Sequence, residues 1–279
     1  MRKISKLISA ALVACIALTA CGAKTDSKET AGKNADTTKD VSLQYIKDKG
    51  ELVLGLDASF PPMGFKDDSD NIVGFDIDLA KEVTSRMGIK LKLQPINWDT
   101  KEMELQAKNI DCIWNGLSYS KDREEKMTLS KSYMTNRQVI VVPADSSIKG
   151  VADLKDKVVV VQSGSTASEA MDAKPEVKDS LKELVKVEDN VKAMLDLQAK
   201  GSDAVVMDEV VAKYYSEKNA GKFNVLSESM ADEKYVIGFR KGDQALADEI
   251  VKTLEEMKKD GKLAQISKQW FGSDITTLD

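Results

Sequence analysis

Arg123 and Asp208 are the side chains of this chain best suited to holding a small zwitterion. Arg123 stands in Lys121-Asp-Arg-Glu-Glu-Lys, just after the polar stretch Asn115-Gly116-Leu117-Ser118. A guanidinium grips a carboxylate through two parallel hydrogen bonds, which a lysine cannot do. A helix expected to begin near Ser165-Thr166 adds backbone N–H groups and a positive dipole end for the same carboxylate. Asp208, at the end of a buried-looking strand, suits an ammonium group. Phe60, beside Pro61-Pro62, and Trp98, after another strand, can supply apolar walls. Each has a plainer reading: Arg123 as one charge on a solvated helix start, Asp208 as a helix N-cap, Trp98 as core. They converge because they fall at strand ends, where ligands collect in open α/β sheets.

Other chemistries lack their residues. The chain has no histidine, which removes the commonest general base, the Ser-His and Cys-His pairs and the commonest zinc ligand. Gln162-Ser-Gly-Ser-Thr lies between a strand and a helix, but its single Gly164 lacks the spacing of a nucleotide loop. Asp67, Asp68 and Asp70 imitate a calcium loop without its terminal glutamate and read as a solvated turn. No cofactor or metal is expected.

The elements that must position these residues are announced by a near repeat. Leu105-Gln-Ala-Lys-Asn-Ile-Asp-Cys-Ile and Leu197-Gln-Ala-Lys-Gly-Ser-Asp-Ala-Val each join an amphipathic helix to a strand that runs into polar residues, Asn115-Gly116 and Asp208-Glu209. Two α/β lobes of similar build follow. Strand signals at Glu51–Leu56, Ile89–Pro95, Ile110–Asn115, Val139–Pro143, Val158–Val161, Leu184–Val187, Ala204–Met207 and Tyr235–Phe239 alternate with helical periodicity over Phe75–Met87, Lys101–Lys108, Ser165–Asp172, Asn190–Lys200, Glu209–Asn219, Gln244–Lys259 and Lys262–Trp270. Such alternation means mostly parallel sheets. Asp57–Gly64 reads as a loop.

The N-terminal end reads as an export segment. Arg2, Lys3 and Lys6 precede the apolar run Leu7 to Ala20, too short for a comfortable transmembrane helix. Leu18-Thr19-Ala20-Cys21-Gly22 looks like a lipoprotein cleavage site, with Cys21 lipidated. Leu12-Val13-Ala14-Cys15 also fits, but cutting there would leave Ile16-Ala17-Leu18 exposed. Cys112 is then alone in the folded part, so no disulfide is available to it. Loss of residues 1–20 removes three basic and no acidic residues, taking the net charge from −5 to −8. That balance argues against nucleic acid and against binding anionic lipid by charge, so the lipid itself is the expected anchor, on the outer face of the cell membrane. Residues 21–40 are small and polar and cannot order themselves. They form a tether reaching roughly 25 Å.

Four stretches give the chain a specific resemblance: Gly55-Leu-Asp-Ala-Ser-Phe-Pro-Pro-Met-Gly-Phe, Gly74-Phe-Asp-Ile-Asp-Leu-Ala, Ile110-Asp-Cys-Ile-Trp-Asn-Gly-Leu-Ser-Tyr-Ser-Lys-Asp-Arg and Lys268-Gln-Trp-Phe-Gly. In order and spacing, from about Val41 to Gly272, the chain resembles the family 3 extracellular solute-binding proteins, the polar amino-acid receptors of ABC importers. The resemblance implies a two-lobed periplasmic-binding-protein-like fold hinged on two crossover strands, near Tyr133–Val142 and Tyr235–Phe239. Lobe 1 would comprise residues 41–134 and 236–279, and lobe 2 residues 135–235. It implies a monomer that serves permease and ATPase subunits. Carried over by position, Arg123, the Thr166 backbone and Ser118 would bind an α-carboxylate. Asp208, Ser118 and the Gly116 carbonyl would take the α-ammonium, Phe60 and Trp98 would flank the side chain, and Asp57, Asn115 and Gln162 would read its tip.

The chain departs from the family pattern at Trp114, usually a smaller residue, which is either pocket floor or core. Asn115-Gly116 replaces a pair of small hydroxyl residues, and Gln162 stands where some glutamine receptors carry lysine. One acid and two amides at the tip favour a cationic or neutral polar ligand: arginine, lysine, glutamine or cystine. The alternatives are a cyclohexadienyl dehydratase-like enzyme on the same fold, for which Asp57 and Asp208 are the available cleft acids, and an amino-acid sensor.

Overall fold

The structure, a computed structural model, describes residues 39–278. The signal segment, Cys21 and the tether up to residue 38 lie outside the described residues. From Lys39 onward the chain packs as one compact unit.

The elements run α1 (Ser42–Lys49), β1 (Glu51–Leu56), β2 (Ser59–Phe60), β3 (Gly64–Lys66), β4 (Ile72–Val73), α2 (Phe75–Met87), β5 (Lys90–Pro95), α3 (Lys101–Gln106), β6 (Cys112–Ser118), α4 (Lys121–Lys126) and β7 (Met127–Leu129). There follow β8 (Met134–Pro143), β9 (Val158–Gln162), α5 (Thr166–Asp172), α6 (Pro175–Lys178), β10 (Glu183–Val187), α7 (Asn190–Gln198), β11 (Ala204–Asp208), α8 (Glu209–Lys218), β12 (Phe223–Arg240), α9 (Gln244–Lys259) and α10 (Lys262–Phe271). Among the described residues a mixed sheet has the order β10-β9-β11-β8-β12-β6-β1-β5, with β7 on β12. Its outer parts are parallel as expected: β5, β1 and β6 at one end, β10, β9 and β11 at the other. The crossover strands β8 and β12 join the two halves through antiparallel pairs. The fold is thus the two-lobed periplasmic-binding-protein type, with one sheet continuous through the hinge.

The near repeat is a repeat of geometry. Lys108 and Lys200 both turn left-handed, at φ 61° and 60°, where each helix ends. The next amide closes each turn in the same way, Asn109 N–H to the Glu104 carbonyl and Gly201 N–H to the Asp196 carbonyl, both 3.0 Å, a Schellman-type stop. The aspartate of each copy then ties down a neighbouring parallel strand: Asp111 accepts the Val53 N–H at 2.7 Å, and Asp203 the Val158 N–H at 2.8 Å. The match in sequence encodes a helix stop and a strand clamp, used twice.

Burial follows chemistry elsewhere. The Val159–Val161 run is fully buried on both sheet faces, as a central parallel strand requires. Helix α2 turns Ile77, Ala80 and Val83 into the core and ends at Gly88, at φ 69°. Trp114 is core: it is fully buried and packs edge-on against Tyr133 at 6.4 Å.

Several features differ from the sequence expectations, short elements α4, β7 and α6 among them. Ser42–Lys49, given no element there, is a helix that buries little beyond Ile46. Asp57–Gly64 carries strand β2 and the start of β3, which with β4 form a small separate sheet. The second crossover strand begins at Phe223 rather than Tyr235. Its first half alternates buried and exposed residues and shifts register twice against β8, at Val225/Ser229 and Ser229/Ala231, so no continuous apolar run marks it.

Candidate functional site

Carboxyl ends of β6, β9 and β11 meet the start of α5 at a small cavity. It is lined by Phe60, Trp98, Gly116, Ser118, Arg123, Gln162, Ser165, Thr166 and Asp208. Eight of the ten ligand-site candidates therefore come together. Asp57 and Asn115 stand behind the wall. Asn115 Oδ1 accepts the Asp57 N–H at 2.9 Å, and its amide nitrogen lies under Gly64, where a Cβ would come within 2.5 Å of it. Asn115 thereby holds Asp57 in place. Asp57 in turn accepts the Ser59 N–H at 2.9 Å and the Gln162 amide at 2.7 Å, across from one lobe to the other. Burial raises the Asp57 carboxyl to about 6, against the lowering effect of Gln162.

Arg123 is not a solvated charge. It is 2% exposed. Helix α4 presents it through the Ser120 cap, and its Nη1 donates to the Ser118 carbonyl at 2.7 Å. Nη2 reaches across to the Gly164 carbonyl at 3.2 Å and pairs with Glu169 at 3.3 Å. Gly164 has φ +66°, and a Cβ there would lie 2.8 Å from Asp99 Oδ1 and 3.0 Å from Asp99 Cα, so glycine is needed for this close approach. Helix α5 begins beside it, with Ser165 accepting the Ser168 N–H as N-cap.

Asp208 occupies the N-cap position of α8 but makes no side-chain cap bond. Its Oδ1 instead accepts from the Tyr235 hydroxyl and from Asn136 Nδ2, both at 2.7 Å. Burial, and after it the charge of Glu233, drive the Asp208 carboxyl up to about 7. The same burial holds the Tyr235 hydroxyl well above its usual range. An incoming ammonium would supply the countercharge that this pair of acids lacks.

Sequence reasoning missed several site residues. Lys101 is 3% exposed, lies 5.2 Å over the Trp98 ring and donates to the carbonyls of Trp98 (3.1 Å) and Gly164 (3.0 Å). Burial pulls its ammonium down to about 8. Lysine at a helix start ordinarily reads as solvated, so no local signal marked it. Asn136, Gln138 and Glu233 come from the crossover strands and hydrogen-bond behind the cavity. Their alternation on β8, buried at Asn136 and Gln138, was the available clue. Among the described residues no cluster of histidine, cysteine or acidic side chains suits a metal, and Cys112 is buried with its thiol pushed up by burial.

A two-lobed α/β body with a buried cation and a buried acid facing one small cavity defines a solute-binding protein. Residues 52–273 match the bacterial extracellular solute-binding proteins, family 3, and the chain belongs to that family. It is 32% identical to the L-cystine-binding protein TcyA of Bacillus subtilis (strain 168) over 270 residues, covering 95% of this chain and 96% of that one. It is 30% identical to the arginine-binding extracellular protein ArtP of the same organism over 265 residues, covering 93% and 95%. Among solved structures, an ABC uptake transporter substrate binding protein from Streptococcus pneumoniae with bound histidine superposes with a TM-score of 0.83 at 36% identity, covering 86% of this chain and all of that one. Among the described residues no helix is long and apolar enough to cross a membrane.

Proposed function

We propose that this protein is the extracytoplasmic receptor of an ABC importer and captures a free polar amino acid between its lobes. The observation that carries the reading is one cavity faced by buried Arg123 and buried Asp208, a cation for a carboxylate and an acid for an ammonium. Arg123 with the Thr166 backbone takes the α-carboxylate. Asp208, Ser118 and the Gly116 carbonyl take the α-ammonium. Phe60 and Trp98 wall the side chain, and Gln162, with Asp57 and Asn115 behind it, meets its tip. A single acid at the tip fits arginine, lysine, glutamine or cystine, in keeping with the cystine- and arginine-binding relatives.

Enclosure is a physical requirement. A ligand of roughly ten non-hydrogen atoms bound at micromolar affinity needs about −8 kcal/mol, or about −0.8 per atom. Only a closed site that pairs both charged groups supplies that. Closure of residues 41–134 and 236–279 over 135–235 also offers the permease a shape that reports the ligand. Cys21 carries the lipid that holds a monomeric receptor at the outer face of the membrane. Cys21→Ala should release the protein into the medium or periplasm, and continued membrane association of that variant would remove the anchor.

The test is a thermal-shift panel of the twenty amino acids with ornithine, citrulline and cystine, run on refolded protein freed of carried ligand. A ligand at a hundred times its Kd stabilises by about 2.7 kcal/mol, a rise of several degrees in Tm. One strong hit supports the receptor, and its charge reports on Asp57. A flat panel sinks the amino-acid reading. Turnover of a cyclic prearomatic acid would replace it with the dehydratase-like alternative.

A further inference from the structure

Glu233 lies outside the cavity wall, half-buried on the long crossover strand β12, yet three donors from around the site converge on its Oε2. They are Ser118 Oγ at 2.6 Å, Asn136 Nδ2 at 2.9 Å and Gln138 Nε2 at 3.0 Å. A carboxylate offers acceptors only, so every group facing it must donate. Ser118 has one hydroxyl proton, and Glu233 receives it. What Ser118 then presents to the cavity is lone pairs, which suit the N–H of an ammonium and repel a carboxylate. Gln138 gives one amide hydrogen to Glu233 and the other to Thr166 Oγ1 at 3.2 Å. Thr166 therefore accepts from behind and keeps its own proton for the cavity, where it suits a carboxylate. Asn136 divides its amide hydrogens between Glu233 and Asp208.

We infer that Glu233 is a positioning residue that sets the hydrogen-bond polarity at the ammonium end of the binding cavity, making Ser118 an acceptor there. This rests on the amino-acid reading and deepens it. It also decides a point the family resemblance left double: the Ser118 hydroxyl serves the ammonium and not the carboxylate. Glu233 acts without touching the ligand. In Glu233→Gln the isosteric amide donates as well as accepts, so the donor pattern behind the cavity breaks and the Ser118 proton is released toward the ligand.

The experiment measures affinity by calorimetry on the full chain in detergent, using whichever of L-arginine, L-lysine, L-glutamine or L-cystine binds the wild type, together with the same molecule lacking an α-amino group. Glu233→Gln should weaken the amino acid by about 30-fold, the size expected for hydrogen bonds to a charged group, and the deaminated analogue by less than about threefold. The ratio of the two losses is the readout, because a merely structural fault would weaken both alike. A second variant makes the route explicit. If Glu233 acts through Ser118, the double variant Glu233→Gln/Ser118→Ala binds no more weakly than the worse single variant. Glu233→Asp, which keeps an acceptor-only group, restores part of the amino-acid preference and serves if Glu233→Gln does not fold. Equal losses for both probes, additive losses in the double variant, or an unchanged Glu233→Gln overturn the inference and leave the receptor reading standing. A wild type that binds none of the four, nor any other amino acid of the thermal-shift panel, overturns both.

Discussion

Asp76 and Asp208 are two buried aspartates with the same kind of partner and different work. Asp76 accepts from the Tyr133 hydroxyl at 2.9 Å and from the Gly116 N–H at 2.7 Å; Asp208 accepts from the Tyr235 hydroxyl at 2.7 Å and from Asn136. Burial raises both carboxyls to about 7. Asp76 is fully enclosed by the core and reaches the site only through the backbone of Gly116. Its Oδ1 and the nearby Trp114 indole nitrogen are buried without a hydrogen bond of good geometry, although the indole is near enough to favour the charged carboxylate. Asp208 opens onto the cavity beside Glu233. A raised carboxyl marks burial in both cases, and only access to the cavity separates the structural acid from the one proposed to bind ligand.

The largest expected effect breaks the comparison on the binding side. Asp208→Asn should weaken amino-acid binding by at least about 100-fold, since a buried charge partner is lost. The unliganded Tm should hold or rise, because two neighbouring acids no longer confront each other. Calorimetry and unliganded melting, run together, check this; a large fall in Tm would move Asp208 to the structural class. Asp76→Ala should do the reverse. It leaves the Tyr133 hydroxyl and Gly116 N–H unpaired in the core, which costs about 3 kcal/mol and lowers Tm by roughly 6–12 °C. Urea unfolding measures it, and an unchanged midpoint would refute the structural role.

A smaller effect comes from pH. An acid raised from 3.8 to about 7 keeps its proton in the folded chain where the unfolded chain has lost it. Its stabilising contribution is full below about pH 4 and disappears as pH rises to about 7. Unliganded stability should therefore fall across that window through Asp76, Asp208 and, to about 6, Asp57. Ligand binding should strengthen over the upper part of the same window as Asp208 ionises. A ligand-induced rise in Tm that is larger at pH 8 than at pH 5.5 is the expected result. The smallest changes sharpen the contrast: Tyr235→Phe and Tyr133→Phe each remove one hydrogen bond, worth about 1 kcal/mol. The first should appear mainly as a fivefold loss of affinity, and the second as a fall of a few degrees in Tm.

Much of this architecture is legible before any coordinates. Apolar periodicity and the Gly88 stop locate Phe75–Met87 to the residue, and the same pattern locates Gln244–Lys259. The near repeat predicts matched helix–turn–strand units, and Lys108 and Lys200 share their left-handed turn. Arg123, Ser118, Thr166 and Asp208 are readable as candidates because they stand at the ends of recognisable elements. Lys101 and Glu233 are not readable, because a charged residue at a helix start or on a half-exposed strand carries no local sign of burial. Asn115 is visible, but whether it faces the ligand or props Asp57 depends on the packing under Gly64.

Local chemistry therefore determined the elements, their stops, the two-lobed plan and the residue types at the strand ends, since each depends on neighbours a few positions away. Tertiary structure decided which acids meet the cavity and which way its hydroxyls point. Ser118 and Glu233 lie 115 residues apart, and Gln162 and Asp57 lie 105 apart. The direction of a hydrogen bond depends on which partner lacks a proton to give, and that partner arrives only when the chain has folded.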